Sequence, residues 1–254
     1  MKIIVCIKQV PDTNDVKWSK DNNLIREGLI SVVNPYDVLA IQFALDIKEK
    51  IKNTTISLLS MGPKGAVDAI DFGLNRGCDC GYLLSDKKFS GSDTVATSKT
   101  LYYAIKNVIK NFDLIITGQF ATDGDTAQTP YMLANLLNIP NVGFVYKIDE
   151  IDDKKIVLYS AKDDGTYKIE GNYPLLVSIS KYDGKLYKPK IKDYINAKDK
   201  EIKILNAEDI NMPGELTGIK GSPTYVSKAY KPQNNRVCKF IETKDLLNEI
   251  KINE

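Results

Sequence analysis

Gly118-Gln119-Phe120-Ala121-Thr122-Asp123-Gly124-Asp125-Thr126-Ala127-Gln128 is the stretch on which the reading of this chain turns. It follows the apolar run Leu114-Ile115-Ile116, which reads as a buried strand, and precedes Tyr131 to Leu137, which reads as a helix. Open α/β sheets hold phosphates where a strand ends in a Gly-, Asp- and Thr-rich turn before a helix, because backbone N–H groups at the helix start favour an anion. Gly118 and Gly124 would let the chain approach such a group closely. The same run is equally compatible with a polar loop that ends in a helix cap.

Outward from this stretch, strand and helix alternate. Lys2 to Lys8, Thr54 to Met61, Gly81 to Ser85 and Leu114 to Thr117 read as strands of a buried parallel sheet. Asn34-Pro35-Tyr36-Asp37 signals a helix start, with Asn34 as the cap and Pro35 at the first helical position. Ile41, Ala44, Leu45 and Lys48 continue it at helical spacing. Val67, Ile70 and Leu74 mark a second helix, and Leu101, Ile105, Val108 and Ile109 a third. The third begins in Ser90-Gly91-Ser92-Asp93-Thr94-Val95-Ala96-Thr97-Ser98, a second Gly-, Ser- and Asp-rich run. The alternation predicts an α/β fold, a mostly parallel doubly wound sheet. Strand carboxyl ends share one edge of such a sheet, so the runs at 90–98 and 118–128 can converge on one crevice.

Elsewhere the texture differs. Val16-Lys17-Trp18 and Leu24-Ile25 suggest a small hairpin. Val142 to Asp149, Lys155 to Ala161, Tyr167 to Glu170 and Leu175 to Ile179 read as short strands that extend the sheet in antiparallel fashion, with turns at Gly165 and Gly171-Asn172. From Lys181 the chain is lysine-rich and weakly periodic, with one further helix at Lys244 to Ile252. Residues 1–184 are therefore expected to form the α/β domain. Residues 185–254 bury too little for a second core and are expected to form an arm laid across another protein.

Composition narrows the function. The 254 residues are 43% hydrophobic and 27% charged with a net charge of +2, which gives no bulk electrostatic case for nucleic acid or membrane binding. No run approaches the ~18 apolar residues of a membrane span, and the N-terminal apolar run is too short for a signal peptide. The expected location is the cytoplasm. Four cysteines without a CxxC pair suit reduced thiols. Histidine is absent, which excludes Ser-His-Asp and Cys-His catalysis and any His-based metal site within the chain. No catalytic side chain and no metal site is expected. Asp123 and Asp125 could form a Mg²⁺ carboxylate pair or acid/base machinery, but no third ligand or orienting group accompanies them. They read better as acceptors for loop backbone or a sugar hydroxyl. Thr126 and Gln128 offer neutral donors, and Ser92, Thr94, Thr97 and Ser98 offer hydroxyls, although an ordinary capped helix would explain the latter run as well. Lys8, ending the first strand, could meet phosphate or water.

In order along the chain stand Ile4-Val5-Cys6-Ile7-Lys8-Gln9-Val10-Pro11-Asp12, Asn34-Pro35-Tyr36-Asp37, Met61-Gly62-Pro63, Gly91-Ser92-Asp93-Thr94-Val95-Ala96-Thr97-Ser98 and Asp123-Gly124-Asp125-Thr126-Ala127-Gln128. Each is weak alone, but the ordered set resembles the beta subunit of electron transfer flavoprotein. The resemblance implies a nucleotide-binding fold of the adenine-nucleotide hydrolase type. It also implies an obligate heterodimer with an alpha subunit that carries its own FAD, and a C-terminal arm that wraps that partner. In one branch of the family the beta subunit holds AMP. In the other it holds a second FAD, binds NADH and bifurcates electrons to ferredoxin and, through the alpha flavin, to an acyl-CoA or hydroxyacid dehydrogenase. The 91–98 and 123–128 runs resemble the bifurcating branch. By position, Cys6, Asn34, Pro35, Tyr36, Asp37, Met61, Gly118, Gln119, Ala121, Asp123, Gly124, Asp125, Thr126, Ala127 and Gln128 match nucleotide-contacting segments, and Asp93, Thr94 and Thr97 match further contacts of the bifurcating group. Gln119-Phe120-Ala121-Thr122 departs from the more usual Lys-Gln-Ala-Ile type of sequence. Tyr182 to Lys192 is the expected contact with the dehydrogenase. Outside the family, the alternative is a stand-alone adenine-nucleotide-binding regulatory protein.

Overall fold

Alternating side chains on the first strand, β1 (Lys2–Ile7), divide the interior in two. Ile3, Val5 and Ile7 join one apolar cluster and Ile4 joins the other, as a strand buried on both faces requires. The structure, a computed structural model, describes residues 1–12, 17–18, 24–25, 30–182, 184–227 and 242, with no side-chain account of 17, 18, 24 and 25. The parallel strands around β1 are β6 (Thr55–Met61), β7 (Cys80–Leu84) and β8 (Leu114–Gly118), with helices α1 (Pro35–Lys50), α2 (Val67–Leu74), α3 (Thr94–Ala104) and α4 (Thr129–Leu137) between and after them. On one face, Ala40, Phe43, Ala44 and Ile47 of α1 and Ile70 and Leu74 of α2 pack on Val5, Leu58 and Ile116. On the other, Leu101 and Ala104 of α3 and Leu133 and Ala134 of α4 pack on Ile4, Leu59 and Ile115. Each large apolar side chain so buried contributes roughly 1.5–3 kcal/mol.

Short strands β2 (Gln9–Pro11) and β5 (Ser31–Val33) form an antiparallel pair just before α1, and β3 (Lys17–Trp18) pairs with β4 (Leu24–Ile25) as the expected hairpin. Beyond α4 come β9 (Asn141–Ile151), β10 (Lys155–Lys162), β11 (Gly165–Asn172) and β12 (Leu175–Ile179). Among the described residues the main sheet has nine strands in the order β11-β10-β9-β12-β8-β1-β6-β7-β13, where β13 is Ile202–Leu205.

Two expectations need correction here. The strands after Asn141 do not all extend the sheet in antiparallel fashion: β12 runs parallel to both β8 and β9, and only the β9–β10 and β10–β11 pairings are antiparallel. The long excursion through β10 and β11 brings β12 back between β9 and β8, the kind of connection a parallel pair needs. Gly171-Asn172 is not a turn but the end of β11. Residues 185–254, expected as an arm across another protein, also make contacts within this chain. Helix α5 (Ile191–Ala197) has no buried residue, but β13 then joins the sheet beside β7, and Ala207, Ile210 and Met212 are buried against the α3 face. This stretch completes its own domain's edge strand. The helix expected at 244–252 lies outside the described residues.

Candidate cofactor site at the carboxyl edge of the sheet

The stretch 118–128 is anchored from below by α1. Asn34 stands at the start of α1 but makes no side-chain cap. Its amide nitrogen instead donates to the Phe120 carbonyl at 2.9 Å, and its amide oxygen accepts from the Thr122 N–H at 3.2 Å. Pro35 takes the first helical position, where its missing N–H costs nothing. One turn on, the buried Asp37 carboxylate accepts the Lys8 N–H at 2.7 Å and the Gly118 N–H at 3.1 Å, joining the ends of β1 and β8. Burial pushes Asp37 up to about 7, against the pull of its hydrogen bonds and of Lys8. Tyr36 packs on Phe120 with ring centroids 4.2 Å apart. A Cβ at position 118 would stand 2.7 Å from Tyr36 Cβ and 2.9 Å from its carbonyl carbon. Gly118 thus admits the first turn of α1. Around Gly124 nothing lies within 4 Å of an added Cβ.

Gln119 is fully buried. Its amide nitrogen donates to Tyr131 Oη at 2.8 Å, and its oxygen accepts from the Phe144 N–H and Ser178 Oγ, both at 2.8 Å. It braces β8 against α4, β9 and β12. Asn34, Asp37, Gly118 and Gln119 thus serve as the frame on which the rest of the stretch is hung. The sequence gives no sign of their partners, because those lie on elements distant along the chain.

Above this frame the two polar runs meet. Thr94 Oγ1, at the start of α3, donates to Gln128 Oε1, at the start of α4, across 3.1 Å. Ser98 Oγ donates to the Thr94 carbonyl at 2.6 Å and reaches the Thr129 carbonyl at 3.4 Å. Thr97 is half-buried one turn into α3. Between β8 and α4 the chain turns on the Ala121 carbonyl, which accepts the Gly124 and Asp125 N–H groups. Asp125 and Ala127 then take positive φ values of 48° and 53°, a conformation that costs a non-glycine residue about 1–2 kcal/mol. Thr126 lies exposed between them. Lys8 reaches Asp123 at 2.6 Å, with side chains 41% and 12% exposed. Lys8 is thus paired within the chain while its side chain stays open to solvent.

Asp93 caps α3: one oxygen accepts the Val95 and Ala96 N–H groups at 2.9 and 3.0 Å. Its other oxygen accepts the N–H and Oγ1 of Thr224 at 3.0 and 2.7 Å. Both oxygens are engaged within the chain, so Asp93 is a clasp.

Beneath the two helix starts lie Cys6, Met61 and Thr117. Cys6 stands opposite Leu59 on one side and Thr117 on the other in the parallel register, and both Cys6 and Met61 pack against the α3 and α4 cluster. Burial, then the Asp37 charge, push the Cys6 thiol up to about 12, so it is no nucleophile. Thr117 shares the face of Ile115 and stands beside Ser178. Among the described residues the Thr117 and Ser60 hydroxyls are buried without a hydrogen-bond partner. An unmatched buried hydroxyl costs about 1–3 kcal/mol. A hydroxyl next to the end of an otherwise apolar strand is a signal the sequence reading passed over. Two helix starts and neutral donors suit the sugar and phosphate of a nucleotide.

Comparison with known proteins bears on this architecture. Residues 21–210 match the electron transfer flavoprotein domain. The chain is similar to the caffeyl-CoA reductase-Etf complex subunit CarD of Acetobacterium woodii, at 40% identity over 91% of this chain and 88% of that one. It is similar to the electron transfer flavoprotein subunit beta of Thermoanaerobacterium thermosaccharolyticum, at 41% identity over 93% and 90% of the two chains. Protein FixA of Azotobacter vinelandii is 32% identical over 96% and 89%. With that extent of match and the nucleotide-compatible sheet edge described above, the chain belongs to the electron transfer flavoprotein family, among the beta subunits.

Proposed function

We propose that this chain is the beta subunit of an electron-bifurcating electron transfer flavoprotein, with an FAD at the carboxyl edge of its sheet and NADH as electron donor. The observation that carries the reading is the 3.1 Å contact between Thr94 and Gln128. It brings two helix starts together over the strand ends, where a diphosphate draws on both sets of N–H groups and both dipoles. Thr94, Thr97, Thr126 and Gln128 hold the diphosphate. Asp123, Asp125 and the loop backbone hold the sugar, and Thr117, Cys6 and Met61 line the floor. Held there, a flavin would supply two-electron oxidation of NADH and one-electron transfer onward, while the protein would supply position and surroundings. One electron goes to ferredoxin and the other through the FAD of an alpha subunit to an acyl-CoA or hydroxyacid dehydrogenase. Similarity to CarD supports the bifurcating reading.

The C-terminal residues reach the alpha subunit, a reading supported by Tyr225 and Val226, which are 83% and 54% exposed. The dehydrogenase docks at 182–192 and the adjoining α5, where Leu186, Tyr187, Ile191, Tyr194 and Ile195 are exposed together. No helix among the described residues is long and apolar enough to cross a membrane, and the complex operates in the cytoplasm.

Co-purification with the alpha subunit, followed by counting of flavin and AMP, tests the proposal. Two FAD per heterodimer and no AMP is the expected result. One FAD with one AMP refutes bifurcation and leaves an AMP-holding beta subunit. A stable monomer without flavin or nucleotide refutes the cofactor site.

A further inference from the structure

The C-terminal segment is tied to the same helix start that faces the candidate site. Gly218 has a φ of +52°, and a Cβ there would run into the Lys88 and Ser90 carbonyls, so the segment lies directly on the loop that leads to α3. Ile219 sits against Gly91. Ser222 Oγ accepts the Asp93 N–H at 2.8 Å and donates to the Gly218 carbonyl at 2.7 Å. Thr224 gives two hydrogen bonds to the Asp93 oxygen that α3 leaves over. Tyr225 and Val226 then turn large apolar surface to solvent.

We propose that Asp93 is a positioning residue that couples the candidate site to the C-terminal segment, so that an anionic nucleotide at the α3–α4 mouth and the seated state of residues 218–227 favour one another. The inference rests on the reading of that mouth as a nucleotide site. With the segment seated, four donors share the Asp93 carboxylate charge. With the segment lifted, Thr224 withdraws both of its hydrogen bonds. An uncompensated negative oxygen then stands beside Thr94, where a phosphate must approach. Like charges at that range oppose binding. Whatever penalty the lifted state places on the ligand, the ligand returns as a preference for the seated state, since coupling between two binding events is reciprocal. Two discrete arrangements of one segment, biased from both sides, are what such coupling requires.

The test uses the full chain in complex with its alpha subunit and reads hydrogen exchange of this chain with and without AMP or FAD. Ligand should slow exchange both at 94–97, the mouth, and at 218–227. The double variant Ser222→Ala/Thr224→Val leaves the Asp93 cap on Val95 and Ala96 intact. It should weaken AMP or FAD binding about tenfold, a typical coupling factor, and abolish the slowing at 218–227. Thr224→Ser, which keeps both hydrogen bonds, should behave as the parent. Protection at 94–97 with none at 218–227, or unchanged ligand affinity in the double variant, overturns the coupling while leaving the nucleotide site in place. No protection at 94–97 with either ligand overturns the site, and the coupling with it.

Discussion

Replacing Gly118 by alanine adds a single methyl group, and the structure says where it must go. It would overlap Asp37 Oδ1 and lie 2.7 Å from Tyr36 Cβ and 2.9 Å from the Tyr36 carbonyl carbon. None of these is the free end of a flexible side chain. Relief requires the first turn of α1 to move off β8, which stretches the 3.1 Å hydrogen bond from the Gly118 N–H to Asp37. Overpacking of this kind costs about 1–3 kcal/mol, and loss of a hydrogen bond to a carboxylate about 1.5–3 kcal/mol. Reduced freedom of the unfolded chain returns about 0.4–1 kcal/mol. The net loss is about 3 kcal/mol, roughly a hundredfold in the unfolding equilibrium. Urea unfolding of parent and variant at one pH measures it through the midpoint shift at constant slope. Gly124→Ala is the internal control, because nothing lies within 4 Å of the added atom; its effect should stay within about 0.5 kcal/mol. A Gly118→Ala loss below about 1 kcal/mol would refute the claim that this glycine exists to admit α1.

Asp37 gives a pH test. Burial raises its carboxyl to about 7 from an ordinary 3.8, so between those values the folded chain binds more protons than the unfolded one. Its contribution to stability is complete below about pH 4 and is lost as pH rises through about 7. The parent should lose stability over that window relative to Asp37→Asn, by up to about 4 kcal/mol; parallel pH profiles of the two would refute the assignment. Gln119→Ala strips partners from Tyr131, Ser178 and the Phe144 N–H and should cost about 3 kcal/mol or more by thermal or urea unfolding. Lys8→Ala removes a partly exposed ion pair and should cost less than about 1 kcal/mol, with its main effect a faster exchange of amides at 121–126. Asp125→Ala should loosen the proposed flavin of this chain and spare that of the alpha subunit, as read by flavin release on dilution; equal retention of both would remove Asp125 from the site.

How much of this was legible in the sequence depends on the range of the interaction. Strand and helix positions around the stretch were readable because apolar periodicity is local, as was the convergence of 90–98 and 118–128, which follows from the parallel sheet itself. The pairing of β12 with both β8 and β9 was not readable, because strand order after Asn141 depends on which edge the long β10–β11 excursion returns to. Nor was the fate of 202–212. Ile202, Lys203, Ile204 and Leu205 show little alternation, and only the open edge of β7 gives them a partner.

The sharper lesson lies within 118–128, where the resemblance implied nucleotide contact at most positions while the residues alone fitted a capped polar loop equally well. The structure divides the stretch by burial. Gly118 and Gln119 belong to the core, held by Asp37, Tyr131 and Ser178. Asn34 and Asp37, which resembled nucleotide contacts by position, hold the loop from beneath. What remains exposed is a shorter run, residues 122–126 and Gln128, with the half-buried Thr94 opposite. A polar residue in a cofactor motif can be there to bind the cofactor or to fix the backbone that does, and sequence alone does not separate these roles. Burial and hydrogen-bond saturation do. The saturated residues should govern stability when changed, and the outward-facing ones should govern ligand affinity. An outward-facing substitution such as Gln128→Ala that cost more stability than Gln119→Ala would break that division.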